Sequence, residues 1–303
     1  MSAKPPGLRV AVVGAGSLIG EAVVEELRAR KFPIAQLHTL EDEQHVGATV
    51  RNADADQPMG DVAAFDFSGV DLVFFCGRAA LSERYGQEAA AHAWVIDGSS
   101  AFRSRADVPL VAADVNPEAL DGVGMRGLIS LPGSASVALA TALAPLQALA
   151  ALERVEVATY HAVSGSGRHA VDELAGETVA MLSGKEARGK AFGRQIAFNV
   201  IPQVDRVEFD GASLEERRIW EETARLLKLP ALPINVTAVR VPVFFGHCLA
   251  VHAGFARPIS VAEARDALQR SRDLSLIDPE SSIEFPTPAV LARSEERRVG
   301  KEC

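Results

Sequence analysis

The apolar positions of the first half of the chain follow two alternating rhythms. Leu8–Val13, LRVAVV, is apolar apart from Arg9, as expected for a strand buried on both faces. Behind it Ile19, Val23 and Leu27 recur every four residues, the stripe of one helix face. The alternation continues with a short strand over Ala35–Thr39 and a buried strand over Val70–Gly77, VDLVFFCG. A helix over Ser82–Ala93 and strands over Trp94–Asp97 and Gly127–Ser130 follow. Strands and helices that alternate one by one predict an α/β fold with a doubly wound parallel sheet.

The rhythm changes after Ser136. A strongly apolar helix is expected from about Ser136 to Leu152, with Ser136 as its N-cap. Arg154–Gly165 alternates like a half-exposed strand, and a helix is expected over Arg168–Leu182. Leu214–Leu227 is amphipathic and charged, and Ile234–Phe255 reads as a pair of long alternating strands. Ser260 and Glu263 form a capping box that opens another helix. Such an order predicts an α+β second domain. The expected division is 1–132, 133–292 and a tail over 293–303, RSEERRVGKEC, which has no hydrophobic periodicity and reads as foreign to the domain.

Gly14, Gly16 and Gly20 sit between the first strand and the first helix as GxGxxxG, one residue longer than the strict dinucleotide fingerprint. Glycines there let the backbone approach a diphosphate, and a helix N-terminus favours its charge. In this strand–turn–helix setting the motif points to a nucleotide, with a plain tight turn as the alternative.

Composition narrows the class. The chain of 303 residues is 48% hydrophobic and carries a formal charge of −9, which argues against DNA, RNA or anionic membrane as partners. The start, MSAKPPG, has no apolar signal core, and the most apolar helix falls short of the ~20 residues of a membrane span. Cys76, Cys248 and Cys303 form no disulfide framework and no CxxC or His/Cys cluster, so no metal is expected and the cytoplasm is the expected compartment.

One stretch carries a chemical question. In LPGSASVALA, Leu131–Ala140, small hydroxyl residues stand between an apolar strand and an apolar helix, where many α/β enzymes place a nucleophile. Ser134 is therefore either a helix-start residue or a nucleophile activated by His247 or His161. No GxSxG elbow and no acidic partner for either histidine is visible, which favours the first.

Several segments together resemble the aspartate-semialdehyde dehydrogenase family. VIDGSSAFR (Val95–Arg103), PLVAADVNPEAL, TYHAVSGSG, FNVIPQVD and VRVPVFFGH each resemble a family block, in the right order. The resemblance runs to about Pro288. It implies a Rossmann-like nucleotide domain followed by an α+β catalytic and dimerisation domain, a homodimer, and NAD or NADP as cofactor. It also implies a small anionic metabolite, in family members a semialdehyde of amino-acid biosynthesis. Family chemistry uses a cysteine thiolate, a histidine that moves protons, hydride transfer and a thioester that exchanges with phosphate. The family also continues with a strand and a long helix where this chain's matching text stops.

By the same resemblance, Arg103 matches a phosphate-holding arginine and Arg240 the arginine that pairs with the substrate carboxylate. Glu215 and Arg218 fall on the family's Glu-x-x-Lys, and His247 on its acid–base histidine. Gly14, Gly16, Ser17, Gly20, Gly77, Gly165 and Gly167 fall on the cofactor side. Three positions depart: Ser134 stands where the nucleophilic cysteine would be, Gly133 replaces the preceding asparagine, and His161 replaces a glutamine. Ser17 takes the middle position of the family's GxxGxxG. Where the family has a Ser/Arg-type loop for the 2′-phosphate, this chain has Glu41-Asp42-Glu43, which favours NAD over NADP. Such a pattern resembles the Usg-type paralogues and leads to the expectation of little or no dehydrogenase activity. The alternatives are an active NAD(P)-dependent semialdehyde dehydrogenase and a serine acyl-transferase or hydrolase using Ser134 and His247.

Overall fold

A computed structural model describes residues 7–52, 55–121, 123–124, 127–187, 189–277 and 285–291. The tail expected over 293–303, with Cys303, and residues 1–6 at the start lie outside the described residues. The chain divides into two compact units, Met1–Pro132 and Gly133–Cys303.

The first unit opens with β1 (Leu8–Val13), α1 (Leu18–Ala29) and β2 (Ile34–Glu41), followed by a small antiparallel pair, β3 (Thr49–Asn52) and β4 (Ala55–Pro58). β5 (Gly60–Asp61), β6 (Leu72–Phe75), α2 (Ala79–His92), β7 (Trp94–Asp97) and β8 (Gly127–Ser130) complete it. The main sheet has the order β5-β2-β1-β6-β7-β8, with every pairing parallel. Successive residues of β1 point to opposite faces. Ala11 and Val13 join a core with Phe75 and with Leu81 and Tyr85 of α2, while Val12 joins Val24 of α1 and Cys76. Both faces are thus covered along Val10–Val13. This is the doubly wound parallel fold that the alternation predicted.

Details differ from the expectation. The buried stripe of α1 is Gly20, Val24 and Leu27, and Ile19 is exposed. The helix rolls so that Gly20, not a branched side chain, meets the turn, where a Cβ would lie 2.2 Å from the Gly14 carbonyl oxygen. The strand expected over Val70–Gly77 is confined to Leu72–Phe75, because Cys76 and Gly77 already turn toward α2.

The second unit contains α3 (Ser134–Gln147), β9 (Leu152–His161), α4 (Arg168–Leu182), α5 (Leu214–Leu226), β10 (Ile234–Arg240), β11 (Cys248–Phe255) and α6 (Val261–Gln269). β9 is the central strand of a three-stranded sheet, parallel to β10 and antiparallel to β11. Val155, Val157, Thr159 and His161 share its buried face, while α5 packs on β10 and α3 on β11. Among the described residues no helix is long and apolar enough to cross a membrane.

The helix expected over Ser136–Leu152 is displaced at both ends. Gly133 takes the extended cap conformation, and its carbonyl accepts the first helical bond, from Val137 N–H at 2.9 Å. Ser136 is therefore not the N-cap; it is buried in the first turn. At the other end Pro145 has no N–H to give Thr141, and the helix stops two residues later. Leu152 opens β9 instead. The pair of strands read over Ile234–Phe255 is interrupted at 241–247, so His247 lies in a connection and not on a strand.

Candidate active site and nucleotide-binding turn

The order of the first sheet reverses between β1 and β6, and open α/β sheets bind ligands at the carboxyl ends of strands at such a switch point. The glycine turn lies there. Gly14 has φ +80°, and a Cβ on it would sit 2.3 Å from the Gly77 nitrogen. Gly14 and Gly77 thus bring the ends of β1 and β6 into backbone contact. Ser17 is the N-cap of α1: its Oγ accepts from Gly20 N–H at 2.9 Å and donates to the Cys76 carbonyl at 2.8 Å. Its hydroxyl ties the turn to β6. Gly16 faces the flexible end of Met59, 3.1 Å from where its Cβ would be. The first turn of α1, with glycine at 14, 16 and 20, fits a dinucleotide diphosphate at a helix N-terminus.

Glu41 is the last residue of β2, and its Cγ lies 4.0 Å from a Cβ built on Gly16. Burial pushes its carboxyl above the usual range, with His45 and Arg78 opposing. Asp42 is paired with the Arg78 guanidinium and, at 2.6 Å, with His45 Nδ1. The ligand atoms of Glu41, Asp42 and His45 lie within 4.8 Å of one another. Arg78, which the sequence reading missed, is the first residue beyond Gly77 and sets the charge of this corner. Arg103, also in the first unit, donates from Nε to the Leu131 carbonyl at 2.9 Å and from Nη2 to the Gly98 carbonyl at 3.0 Å.

In the second unit the chain brings His161, His247, Arg240 and Gly165 together. His161 ends β9 opposite Arg240 at the end of β10. The His161 and His247 rings are 4.9 Å apart. Ala162 N–H donates to His247 Nδ1 at 3.0 Å, and Arg240 Nη1 donates to the Ala162 carbonyl at 2.9 Å. A Cβ on Gly165 would lie 3.2 Å from His247 Cε1 and 3.4 Å from Arg240 Nη1, so glycine there leaves room for both side chains. Gly167, at φ +89°, is the N-cap of α4 and neighbours His169.

Burial, reinforced by Arg240, holds His247 near a pKa of about 4. Burial, then His247 and Arg240, hold His161 near about 3. Both rings are neutral at neutral pH. With Nδ1 of His247 accepting from backbone, its proton is on Nε2. That ring can give a proton at Nε2 but cannot take one there. His161 Nε2 is paired with Thr159 Oγ1 at 2.8 Å, a partner that the sequence reading did not identify. Arg240 is also buried, which lowers its pKa, with Glu215 and Asp205 opposing. Arg218 donates to Asp205 at 2.8 Å.

Ser134 is exposed, the first residue of α3, and makes no side-chain cap. Gly133 N–H is instead held by the buried carboxylate of Glu222 on α5, at 2.6 Å. Glu222 is invisible to local reading because its partner is 89 residues away. Neither described thiol is activated. Burial, aided by Asp97, pushes Cys76 up to about 12, and burial raises Cys248. Cys248 pairs across β9 with Tyr160, and directly paired residues share a face. It therefore points away from His161, which lies on the other face of the same strand.

These features define a two-domain protein whose first unit is a Rossmann-like nucleotide fold and whose second holds a compact His–His–Arg cluster. Residues 9–123 match the semialdehyde dehydrogenase NAD binding domain, and residues 143–301 the semialdehyde dehydrogenase dimerisation domain. The chain belongs to the aspartate-semialdehyde dehydrogenase family. It is 36% identical over 281 residues to the aspartate-semialdehyde dehydrogenase of Legionella pneumophila, covering 92% of this chain and 81% of that one. It is 37% identical over 276 residues to a USG-1 protein homolog of Azotobacter vinelandii, covering 91% and 82%. The crystal structure of aspartate semialdehyde dehydrogenase II complexed with ASA from Vibrio cholerae superposes with a TM-score of 0.89 at 37% identity, covering 93% and 83%.

Proposed function

We propose that this chain is a Usg-type member of the family that binds a nicotinamide nucleotide and a small anionic amino-acid metabolite but has little or no dehydrogenase turnover. What supports the reading is Ser134 at the head of α3, which by the sequence resemblance would stand in the place of the family's cysteine, with Cys76 buried and Cys248 on the opposite face of the sheet. A serine hydroxyl is a far weaker attacker than a thiol, a few per cent of which is thiolate near neutral pH. A nicotinamide dinucleotide, when bound, would supply hydride chemistry, and the first turn of α1 with Gly14, Gly16 and Gly20 would hold its diphosphate. Glu41, at the end of β2, would accept from a free ribose hydroxyl, which favours NAD over NADP. In the second unit Arg240 would meet a carboxylate and His247 would offer its Nε2 proton to a carbonyl oxygen. Glu215 and Arg218 would complete the anion-binding set of the second unit, and Arg103, in the first, would hold phosphate.

The tautomer of His247 speaks against serine acyl transfer. That reaction needs a base at Nε2, oriented by a donor bond from Nδ1, and here Nδ1 accepts from Ala162. The dimerisation match supports a homodimer. Its seat would be the outer face of the β10-β9-β11 sheet, where Ala158, Tyr160, Val239, Cys248 and Ala250 share one side.

The test is phosphate-dependent reduction of NAD and NADP with L-aspartate semialdehyde. No turnover is expected from the unaltered chain, and measurable turnover from Ser134→Cys. Robust turnover by the unaltered chain overturns the reading. A silent Ser134→Cys chain places the defect at Gly133, His161 or the cofactor corner.

A further inference from the structure

The segment 190–197 has neither helix nor strand, yet it is pinned at two points. Glu173 on α4 accepts from Lys190 N–H at 2.9 Å and Ala191 N–H at 2.8 Å. Glu177, one turn further along the same face, accepts from Ile196 N–H at 2.8 Å and Ala197 N–H at 2.9 Å. A carboxylate accepting two backbone N–H groups is a strong, directional tie, and that of Glu177 is buried. Between the two pins lies Phe192, packed on the core of Val163, Ala170, Leu174, Ile196 and Ala197.

The Phe192 ring faces Arg240, whose Cζ is 5.1 Å from the ring centroid. Arg240 needs such a neighbour. It is buried; Nη1 is committed to the Ala162 carbonyl, and Nε is buried without a hydrogen-bond partner among the described residues. A desolvated guanidinium is stabilised by the negative face of an aromatic ring, which also fixes the plane of its fork.

We propose that Phe192 is a positioning residue for anion recognition, its ring holding the Arg240 fork in one plane while Glu173 and Glu177 fix the ring from outside the site. The inference rests on the reading of Arg240 as the group that meets a substrate carboxylate. It makes residue 192 an aromatic requirement and not merely a packing one. Leucine would fill the space and leave the cation without its π face. Tyrosine would restore the face.

The experiment compares the unaltered chain with Phe192→Leu and Phe192→Tyr, using the Arg240 Nε–H signal in 15N-edited NMR and calorimetric titration with L-aspartate as probe. Arg240→Lys assigns the signal. In Phe192→Leu the Arg240 signal is expected to lose its ring-current shift, and the affinity for L-aspartate to fall about fivefold, the worth of one cation–π contact. Phe192→Tyr is expected to restore both. An Arg240 signal that does not move in Phe192→Leu overturns the inference, as does unchanged affinity. If the unaltered chain does not bind L-aspartate, the reading of the ligand fails, and the Arg240 signal alone decides on Phe192.

Discussion

The glycine turn of the first unit and the histidine–arginine cluster of the second are specified in opposite ways. The turn depends on missing side chains. A Cβ at Gly14 or Gly20 would lie within 2.4 Å of backbone that cannot yield, so those positions follow from the fold alone. The cluster depends on which side chains are present. His161 meets Thr159, His247 meets Ala162, and Arg240 meets Phe192, each through one particular atom or ring. Exchanging a side chain there alters chemistry and leaves the backbone standing. A chain of this fold can therefore keep the glycine turn while a side chain of the second unit is exchanged, and the proposed function rests on this contrast.

The glycine turn is most sensitive at Gly14. Gly14→Val is expected to cost roughly 3 kcal/mol or more, from a positive φ and a backbone clash together. Urea unfolding measures it, and a loss below about 1 kcal/mol would mean that the turn adapts. The cluster should show itself through pH. Both histidines have folded pKa values below the ordinary 6.5, so the unfolded chain binds their protons first. Their contribution to stability is intact above pH 6.5. It is lost as pH falls toward about 4 for His247 and about 3 for His161. Each adds a slope of about 1.4 kcal/mol per pH unit in that window. His161→Gln should flatten the dependence measured by denaturation between pH 6 and 4 by roughly one such slope; an unchanged slope would show His161 already protonated or exposed.

Smaller effects sharpen the contrast. Glu222→Ala leaves the Gly133 N–H without its buried acceptor and is expected to cost about 2 kcal/mol, read from the thermal midpoint. The glycine turn in the first unit should keep its nucleotide affinity in that variant. The least effect is expected from Asp42→Ala, which frees Arg78 for a 2′-phosphate. Affinity for NADP should rise by up to about fivefold relative to NAD; a fall would place Arg78 away from the ribose.

The strands of the first unit were readable because burial on both faces writes itself into consecutive residues, as in Val10–Val13. The GxGxxxG turn was readable because close backbone approach demands glycine whatever surrounds it. α4 emerged over Arg168–Leu182 as expected, bounded by Gly167 and by Ser183. The start of α3 was misread, because its cap is decided by a carboxylate from another helix. The face of α1 was misread, because a glycine contact outranked a branched apolar residue. Local order set strand and helix periods, turn glycines and the capping boxes at Ser213 and Ser260. Tertiary packing alone decided that Glu222 holds Gly133, that Phe192 lies against Arg240, and that Ala162 fixes the proton of His247. Those pairs are far apart in the chain, and no local period or propensity encodes which distant group meets which.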